Sequence, residues 1–193
     1  MNAQKLRNLT FTALLAALVL VLGITPLGLI PLGFINVTII CIPVVVGTLL
    51  LGWKAGLVLG LCFGFTSMWD ALTSPSALVM PLVQRNVVVT AIMCFLPRLM
   101  VPLTAHWAHN AMAQRGRRKS LGALPAAAIA GSLTNTVLYL GLMLLFYIWV
   151  WLDPAPVLGL IGGTAIIAGS AEAITAAILV PPIVLALQKI SKR

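Results

Sequence analysis

Three ionisable side chains lie inside stretches of this sequence that are otherwise apolar: Arg85, Arg98 and Glu172. Moving a charge into a membrane is costly, so a charged residue at that depth generally binds a ligand, an ion or a second charge. An arginine can donate several hydrogen bonds to a carboxylate, and a glutamate can accept them. These residues are therefore the first candidates for a binding site.

Arg85 is predicted to lie about one turn inside the outer end of a helix, next to Asn86. It could provide the cation that an anionic ligand needs, together with neutral donors nearby. It could equally extend to the membrane surface, or pair with Asp70 or Asp153. The sequence leaves these uses open.

Amide and hydroxyl groups on another predicted helix could bind a polar molecule. At about 1.5 Å per residue, Asn135 lies ~18 Å from the outer helix end, and Tyr139 is one turn nearer that end on the same face. Thr136 adds a hydroxyl, although hydrogen bonding between helices is an alternative use for all three. For the more deeply placed Arg98, we favour a buried pair with Glu172 over contact with a ligand.

The sequence contains no arrangement that predicts a catalytic or metal site. His106 and His109 share a helix face, but no acid or cysteine is predicted near them, so we interpret both as interfacial residues. Cys41, Cys62 and Cys94 lie in apolar segments and are predicted to pack as small side chains. An ATPase site is also missing, because no Gly-Lys-[Ser/Thr] sequence occurs.

The composition is that of an integral membrane protein. Apolar residues make up 61% of the chain and charged residues only 8%, and the mean hydropathy is +1.12. The net charge of +9 is interpreted as an orientation signal and an attraction to anionic lipid rather than as a nucleic-acid-binding surface.

Basic residues predict the topology. Nine of them occur in three clusters: Lys5 and Arg7; Arg115, Arg117, Arg118 and Lys119; and Lys189, Lys192 and Arg193. Lys and Arg are retained on the cytoplasmic side, so an even number of spans should separate successive clusters. We therefore predict an all-α fold with six transmembrane helices, at about 9–24, 37–51, 55–72, 80–112, 121–149 and 157–190, and with both termini cytoplasmic.

Glycine and proline mark two further features. Gly56, Gly60 and Gly64 form a bare stripe along the third predicted helix, which we interpret as a packing face within the molecule, with a dimer face as the alternative. The Pro- and Gly-rich loop at 25–36 is apolar and irregular, so it is expected to fold over another part of the protein.

Several short motifs also occur in a defined order along the chain. They are the Ala-x-x-x-Ala pair Ala13 and Ala17, Asn36-x-Thr38-x-x-x-x-Pro43, Leu51-Gly52-Trp53-Lys54-Ala55-Gly56, Pro97-Arg98, Gly131-Ser132-Leu133-Thr134-Asn135-Thr136 and Glu172-Ala173-Ile174. In this order they resemble the S components, or substrate-binding membrane subunits, of energy-coupling factor (ECF) vitamin transporters. Within that family the sequence is most similar to the pantothenate branch.

The resemblance implies one membrane domain over residues 1–193, with six helices, no cofactor, and a pocket on the outer side capped by loops. The substrate would be a water-soluble vitamin, taken up across the prokaryotic cell membrane. An EcfT-like transmembrane coupling subunit would dock on Ala13 and Ala17, and two EcfA-like cytoplasmic ATPases would supply energy. The candidate substrate-binding residues are Asn36, Arg85, Asn86, Asn135, Tyr139 and Glu172.

Three alternatives remain open from the sequence. The chain could be an S component for another vitamin or precursor, such as riboflavin or a compound like hydroxymethylpyrimidine or pyridoxine. A membrane-embedded hydrolase using Glu172 is disfavoured, because both histidines are predicted far from that residue. A gradient-driven transporter is disfavoured by the presence of only three acids and by the lack of an inverted repeat.

Overall fold

In the part of the chain that the structure describes, five helices are long and apolar enough to cross a membrane. The computed structural model describes residues 3–25, 28–31, 36–114 and 117–191. Its elements in chain order are α1 (Ala3–Ile24), β1 (Leu29–Pro31), β2 (Asn36–Thr38), α2 (Cys41–Leu51), α3 (Trp53–Thr73), α4 (Met80–Arg85), α5 (Val87–Ala113), α6 (Arg117–Trp149), α7 (Ala155–Leu160), a π-helical turn (Ile161–Ala165) and α8 (Ile166–Ser191).

The all-helical prediction holds apart from the two short strands, whereas the count of six spans is not established. The spans are Gln4–Ile24, Trp53–Thr73, Val87–Ala113, Gly122–Trp149 and Ile166–Lys189. The predicted second span is the 11-residue helix α2. At about 16 Å this helix is shorter than the ~30 Å hydrocarbon core. A sixth crossing and the cytoplasmic position of the termini therefore stay predictions.

The predicted fourth helix is interrupted, which corrects the sequence interpretation. Residues 80–112 were expected to form one helix, but the backbone of Asn86 is extended, with φ −160° and ψ 105°. Its side-chain oxygen accepts hydrogen bonds from the backbone N–H groups of Val88 (3.0 Å) and Val89 (3.3 Å). Asn86 therefore caps the start of α5, as asparagine commonly does at a helix N-terminus.

The last predicted helix is also divided. Residues 157–190 were expected to be continuous, but the chain forms α7, then the π-helical turn, then α8. Gly162 and Gly163 lie in that turn, and glycine has a low propensity to form a regular α-helix. Sequence periodicity does not reveal an inserted π turn, because apolar residues continue on both sides of it.

The Pro- and Gly-rich loop contains a small antiparallel sheet. Strands β1 and β2 pair with Leu29 opposite Thr38 and Pro31 opposite Asn36. The Ile39 N–H donates to the Gly28 carbonyl at 3.1 Å, which closes the base of the hairpin. Strand β2 contacts α8, so in this part the loop does fold over another element, as expected. Asn36 therefore begins a strand that packs on the helix carrying Glu172.

The glycine stripe of α3 packs inside the molecule, which confirms the favoured interpretation. A Cβ atom placed on Gly60 would lie 2.6 Å from the backbone carbonyl oxygen of Arg98, and one on Gly64 would lie 2.6 Å from the Phe95 ring. These distances are shorter than a van der Waals contact permits. The stripe therefore allows α3 to approach the backbone of α5 closely.

Replacing Gly60 by alanine should destabilise the protein by about 1–3 kcal/mol, because the new methyl group would push α3 away from the α5 backbone. Gly141 is the matched control, since a Cβ at that position meets nothing within 4 Å. Gly141→Ala should be neutral or stabilising by up to ~1 kcal/mol. Thermal unfolding of the two purified variants in detergent would show the difference, and equal melting temperatures would contradict this account of the stripe.

The buried apolar residues form two separate clusters. The first apolar cluster joins α1, α2, α3, α5, α6 and α8, and includes Val45, Leu59, Phe63, Val101, Ala128 and Val180. The second apolar cluster joins α3, α5, α6 and α7, with residues before α4 and within it, and includes Ala71, Leu82, Met93, Cys94, Met143 and Val157. The residues between these clusters on α5 and α6, together with Glu172 on α8, include most of the buried polar side chains of the described residues.

Candidate functional site

A polar layer separates the two apolar clusters. We define it as Arg98 on α5, Ser132, Asn135 and Tyr139 on α6, and Glu172 on α8. Arg98 and Asn135 are each 6% exposed, Glu172 is 8% exposed, and Ser132 is fully buried. Burying this many polar groups is unfavourable unless hydrogen bonds or a ligand compensate for the lost water.

Helices α5 and α6 carry their members of the polar layer between residues of the two clusters. On α5, Arg98 follows Met93 and Cys94 of the second cluster and precedes Val101 and Ala105 of the first. On α6, the polar residues lie between Ala128 and Met143 in the same way. The two helices pack against each other. The layer is therefore a consequence of helix packing at matching levels.

Arg98 is held by several contacts. Its Nη1 donates a hydrogen bond to the Met93 carbonyl at 3.1 Å. Its Cζ lies 4.5 Å from the ring centroid of Tyr139 and 5.3 Å from that of Phe63. Its Nε is buried and has no hydrogen-bond partner in the part of the chain that the structure describes. One N–H donor is thus left for a ligand, and leaving it unmet costs free energy.

One face of α6 supplies the neutral polar groups. Ser132, Asn135 and Tyr139 follow one another at i, i+3 and i+7, which places them along a single helix face of ~10 Å. Ser132 Oγ and Asn135 Oδ1 are buried and have no hydrogen-bond partner among the described residues. The Thr136 hydroxyl instead donates to the Ser132 carbonyl at 3.4 Å, within its own helix.

These atoms define what the layer can bind. Arg98 Nε requires an acceptor, ideally one with a negative charge. Asn135 Oδ1 requires a donor such as a hydroxyl or an amide N–H, while Ser132 Oγ can either donate or accept. A small molecule that has a carboxylate, an amide and hydroxyl groups would satisfy all three atoms.

Glu172 adds a buried acid to the same region. The Cys41 thiol, at the start of α2, is within electrostatic range of both Arg98 and Glu172. One turn before Glu172, a Cβ on Gly169 would lie 3.1 Å from Thr136 Cγ2, so α8 and α6 are in close contact there. The pairing of Arg98 with Glu172 stays a prediction.

The structure does not bring every predicted site residue into this layer. Arg85 is exposed at the end of α4. Arg98 lies ~16 Å along α5 from the start of that helix, at Val87. Asn86 is partly buried, and its side-chain oxygen caps α5. The side chain of Asn36 lies outside the described residues. A ligand role for these three stays a prediction.

Ala13 and Ala17 are both exposed on α1, whereas Leu15 and Val19 on another face of the helix are buried. The first half of α1 also forms an apolar surface groove of about 450 Å³, lined by Leu6, Arg7, Thr10, Phe11 and Leu14. The two alanines are therefore not core positions of the domain, and their role in docking a partner stays a prediction.

Sequence reasoning missed two contributors to the site. Ser132 could have been recognised, because it precedes Asn135 by three residues on the same face. Phe63 gave no signal, since a phenylalanine in an apolar helix is indistinguishable from an ordinary core residue. Its contact with Arg98 depends on the packing of α3 against α5.

The two histidines are not members of the polar layer. His106 Nε2 and the Asn110 amide nitrogen are 3.0 Å apart on the same helix. Across the described ranges, no group of three or more His, Cys, Asp or Glu side chains could hold a metal ion.

Similarity to known proteins identifies the family. The sequence profile of the family described as "ECF transporter, substrate-specific component" matches residues 7–184. The chain belongs to this family. The S-component resemblance noted from the motifs is thereby confirmed. The family consists of transporter substrate-binding subunits and not of enzymes.

The S component is also similar to a pantothenic acid transporter. The chain is 32% identical over 114 residues to the pantothenic acid transporter PanT of Lactococcus lactis subsp. cremoris (strain MG1363). The matched segment covers 55% of this chain and 55% of the relative, so the S component spans about half the length of that protein. This similarity agrees with the pantothenate-like branch that the motifs indicated.

Proposed function

We propose that this S component binds pantothenate, in a site formed by the polar layer, and delivers it for uptake into the cell. The proposal is carried by three buried atoms that have no hydrogen-bond partner among the described residues: Arg98 Nε, Asn135 Oδ1 and Ser132 Oγ. Pantothenate has a carboxylate, an amide and two hydroxyl groups, which supply the acceptor and donors that these atoms require. The similarity to a pantothenic acid transporter supports the same ligand.

Each part of the ligand then has a partner. The carboxylate, ionised at neutral pH, accepts a charge-assisted hydrogen bond from Arg98. A hydroxyl or the amide N–H donates to Asn135, and Ser132 binds a further polar group. Glu172 and Asn36 remain candidates for contact with the hydroxyl end, and Arg85 and Asn86 for contact nearer the mouth.

Direct binding tests the ligand assignment. The detergent-solubilised protein should co-purify with pantothenate, detected by mass spectrometry, and should bind added pantothenate saturably with 1:1 stoichiometry in calorimetry. Riboflavin and pyridoxine, added in parallel, should not bind. Recovery of a different vitamin from the protein, with no heat from pantothenate, would replace the pantothenate assignment.

Transport would require partner subunits. A transmembrane coupling subunit would dock on the face of α1 that carries Ala13 and Ala17, since small exposed residues permit close helix approach in lipid. Two cytoplasmic ATPases would supply the energy, because the sequence has no phosphate-binding Gly-Lys-[Ser/Thr] motif. The complex would lie in the prokaryotic plasma membrane, with the basic clusters on the cytoplasmic side.

A further inference from the structure

Two aromatic rings from different helices contact the buried guanidinium of Arg98. The Arg98 Cζ lies 4.5 Å from the ring centroid of Tyr139 on α6 and 5.3 Å from that of Phe63 on α3. Both distances are within the ~6 Å range of a cation–π contact. Phe63 is only 2% exposed and belongs to the first apolar cluster, so the surrounding packing fixes its ring.

These contacts leave the donor that a ligand needs. An aromatic face attracts a cation without using an in-plane N–H group, whereas a carboxylate partner would use one or two of them. The Met93 carbonyl accepts a hydrogen bond from Nη1, and Nε has no hydrogen-bond partner within the described ranges. An arginine that is already held also loses less side-chain freedom when it binds an anion.

We propose that Phe63 and Tyr139 are positioning residues, which determine the preference for an acidic ligand by orienting the Arg98 guanidinium. This inference rests on the proposed function. It also changes the role of Tyr139, because the ring rather than the hydroxyl carries the effect. Neither ring needs to touch the ligand, since both act through Arg98.

The experiment compares pantothenate with its neutral alcohol analogue, which lacks only the carboxylate. The quantity measured is the ratio of the two dissociation constants, alcohol over acid, obtained by calorimetry on purified protein. Tyr139→Leu and Phe63→Leu should each lower this ratio by about twofold to tenfold, the range expected when Arg98 must lose its side-chain freedom on binding the acid. The alcohol has no carboxylate for Arg98 to bind, so each leucine variant should lose less affinity for the alcohol than for the acid.

Ring-preserving variants are the matched controls. Tyr139→Phe and Phe63→Tyr keep the aromatic face and should retain most of the wild-type ratio. Arg98→Lys keeps the charge but loses the planar guanidinium, so it should not retain the preference. If Phe63→Leu fails to fold, the comparison of Tyr139→Leu with Tyr139→Phe decides the question, because Tyr139 is only partly buried.

The outcomes separate this inference from the proposed function. Equal weakening of both ligands by the leucine variants would show that the rings only support the fold, and would overturn the inference alone. A loss with Tyr139→Phe as large as that with Tyr139→Leu would assign the effect of Tyr139 to its hydroxyl and would overturn its positioning role. Wild-type protein that binds no pantothenate, or binds the acid no better than the alcohol, would overturn the proposed function, and with it this inference.

Discussion

Replacing Arg98 by glutamine should weaken pantothenate binding by about tenfold to a hundredfold. The physical reason is the loss of a charge-assisted hydrogen bond, worth roughly 1.5–3 kcal/mol, at about 1.4 kcal/mol per decade of affinity. Arg98 is buried in the polar layer, and its Nε has no hydrogen-bond partner in the described part of the chain, which makes it the best-placed cation for the carboxylate. Calorimetry with pantothenate and with its alcohol analogue measures the effect, and the alcohol should lose little affinity.

Arg85→Gln is the matched comparison, because it removes the same charge from an exposed position at the end of α4. We expect it to change pantothenate affinity by less than about threefold, since an exposed charge interacts weakly across water. Should Arg85→Gln produce the larger loss, specific to the acid, then the carboxylate binds near the mouth and the assignment of Arg98 is wrong. Retained alcohol binding also verifies that each variant is folded.

Enlarging Ala13 and Ala17 to leucine should abolish uptake and leave pantothenate binding by the isolated protein unchanged. Both alanines are exposed, so the larger side chains meet no part of the domain itself. They would, however, hold a docking helix away and remove its van der Waals contacts. Uptake of labelled pantothenate by cells that carry the whole transporter, together with calorimetry on the purified variant, measures the two activities separately.

A double variant of comparable size controls for general effects of added bulk. Ala111 on α5 and Ala186 on α8 are also exposed, and changing both to leucine should leave uptake within about twofold of wild type. Full uptake by the Ala13 and Ala17 variant would remove the docking assignment. Loss of ligand binding in that variant would instead place α1 in the support of the binding site.

Much of the helical architecture could be predicted because its signals are local. Apolar runs long enough to cross a membrane were recognised for α1, α3, α5, α6 and α8. The break at Asn86 was missed, because apolar residues continue on both sides and hide a helix cap. The two strands were missed for a similar reason, since three-residue pairings depend on the register of a loop rather than on periodicity.

The polar residues of the site could also be singled out in part. Asn135, Tyr139 and Glu172 were singled out because a polar group in an apolar helix is conspicuous, and all three belong to the polar layer, while their contact with a ligand stays a prediction. Ser132 and Phe63 were not identified. A serine is common in membrane helices, and a phenylalanine carries no polar signal, so each acquires meaning only from what it faces.

By itself the sequence determined that this is a helical membrane protein of the S-component family with a few buried polar groups. The free-energy cost of placing a charge in lipid depends on a residue and its immediate neighbours, and can therefore be recognised from the sequence alone. Only the tertiary structure decided what surrounds the deeper arginine. The sequence already placed Arg98 deeper than Arg85, but only the packing of α3 and α6 brings Phe63 and Tyr139 against its guanidinium. Such burial depends on contacts between residues far apart in sequence, which no local pattern specifies.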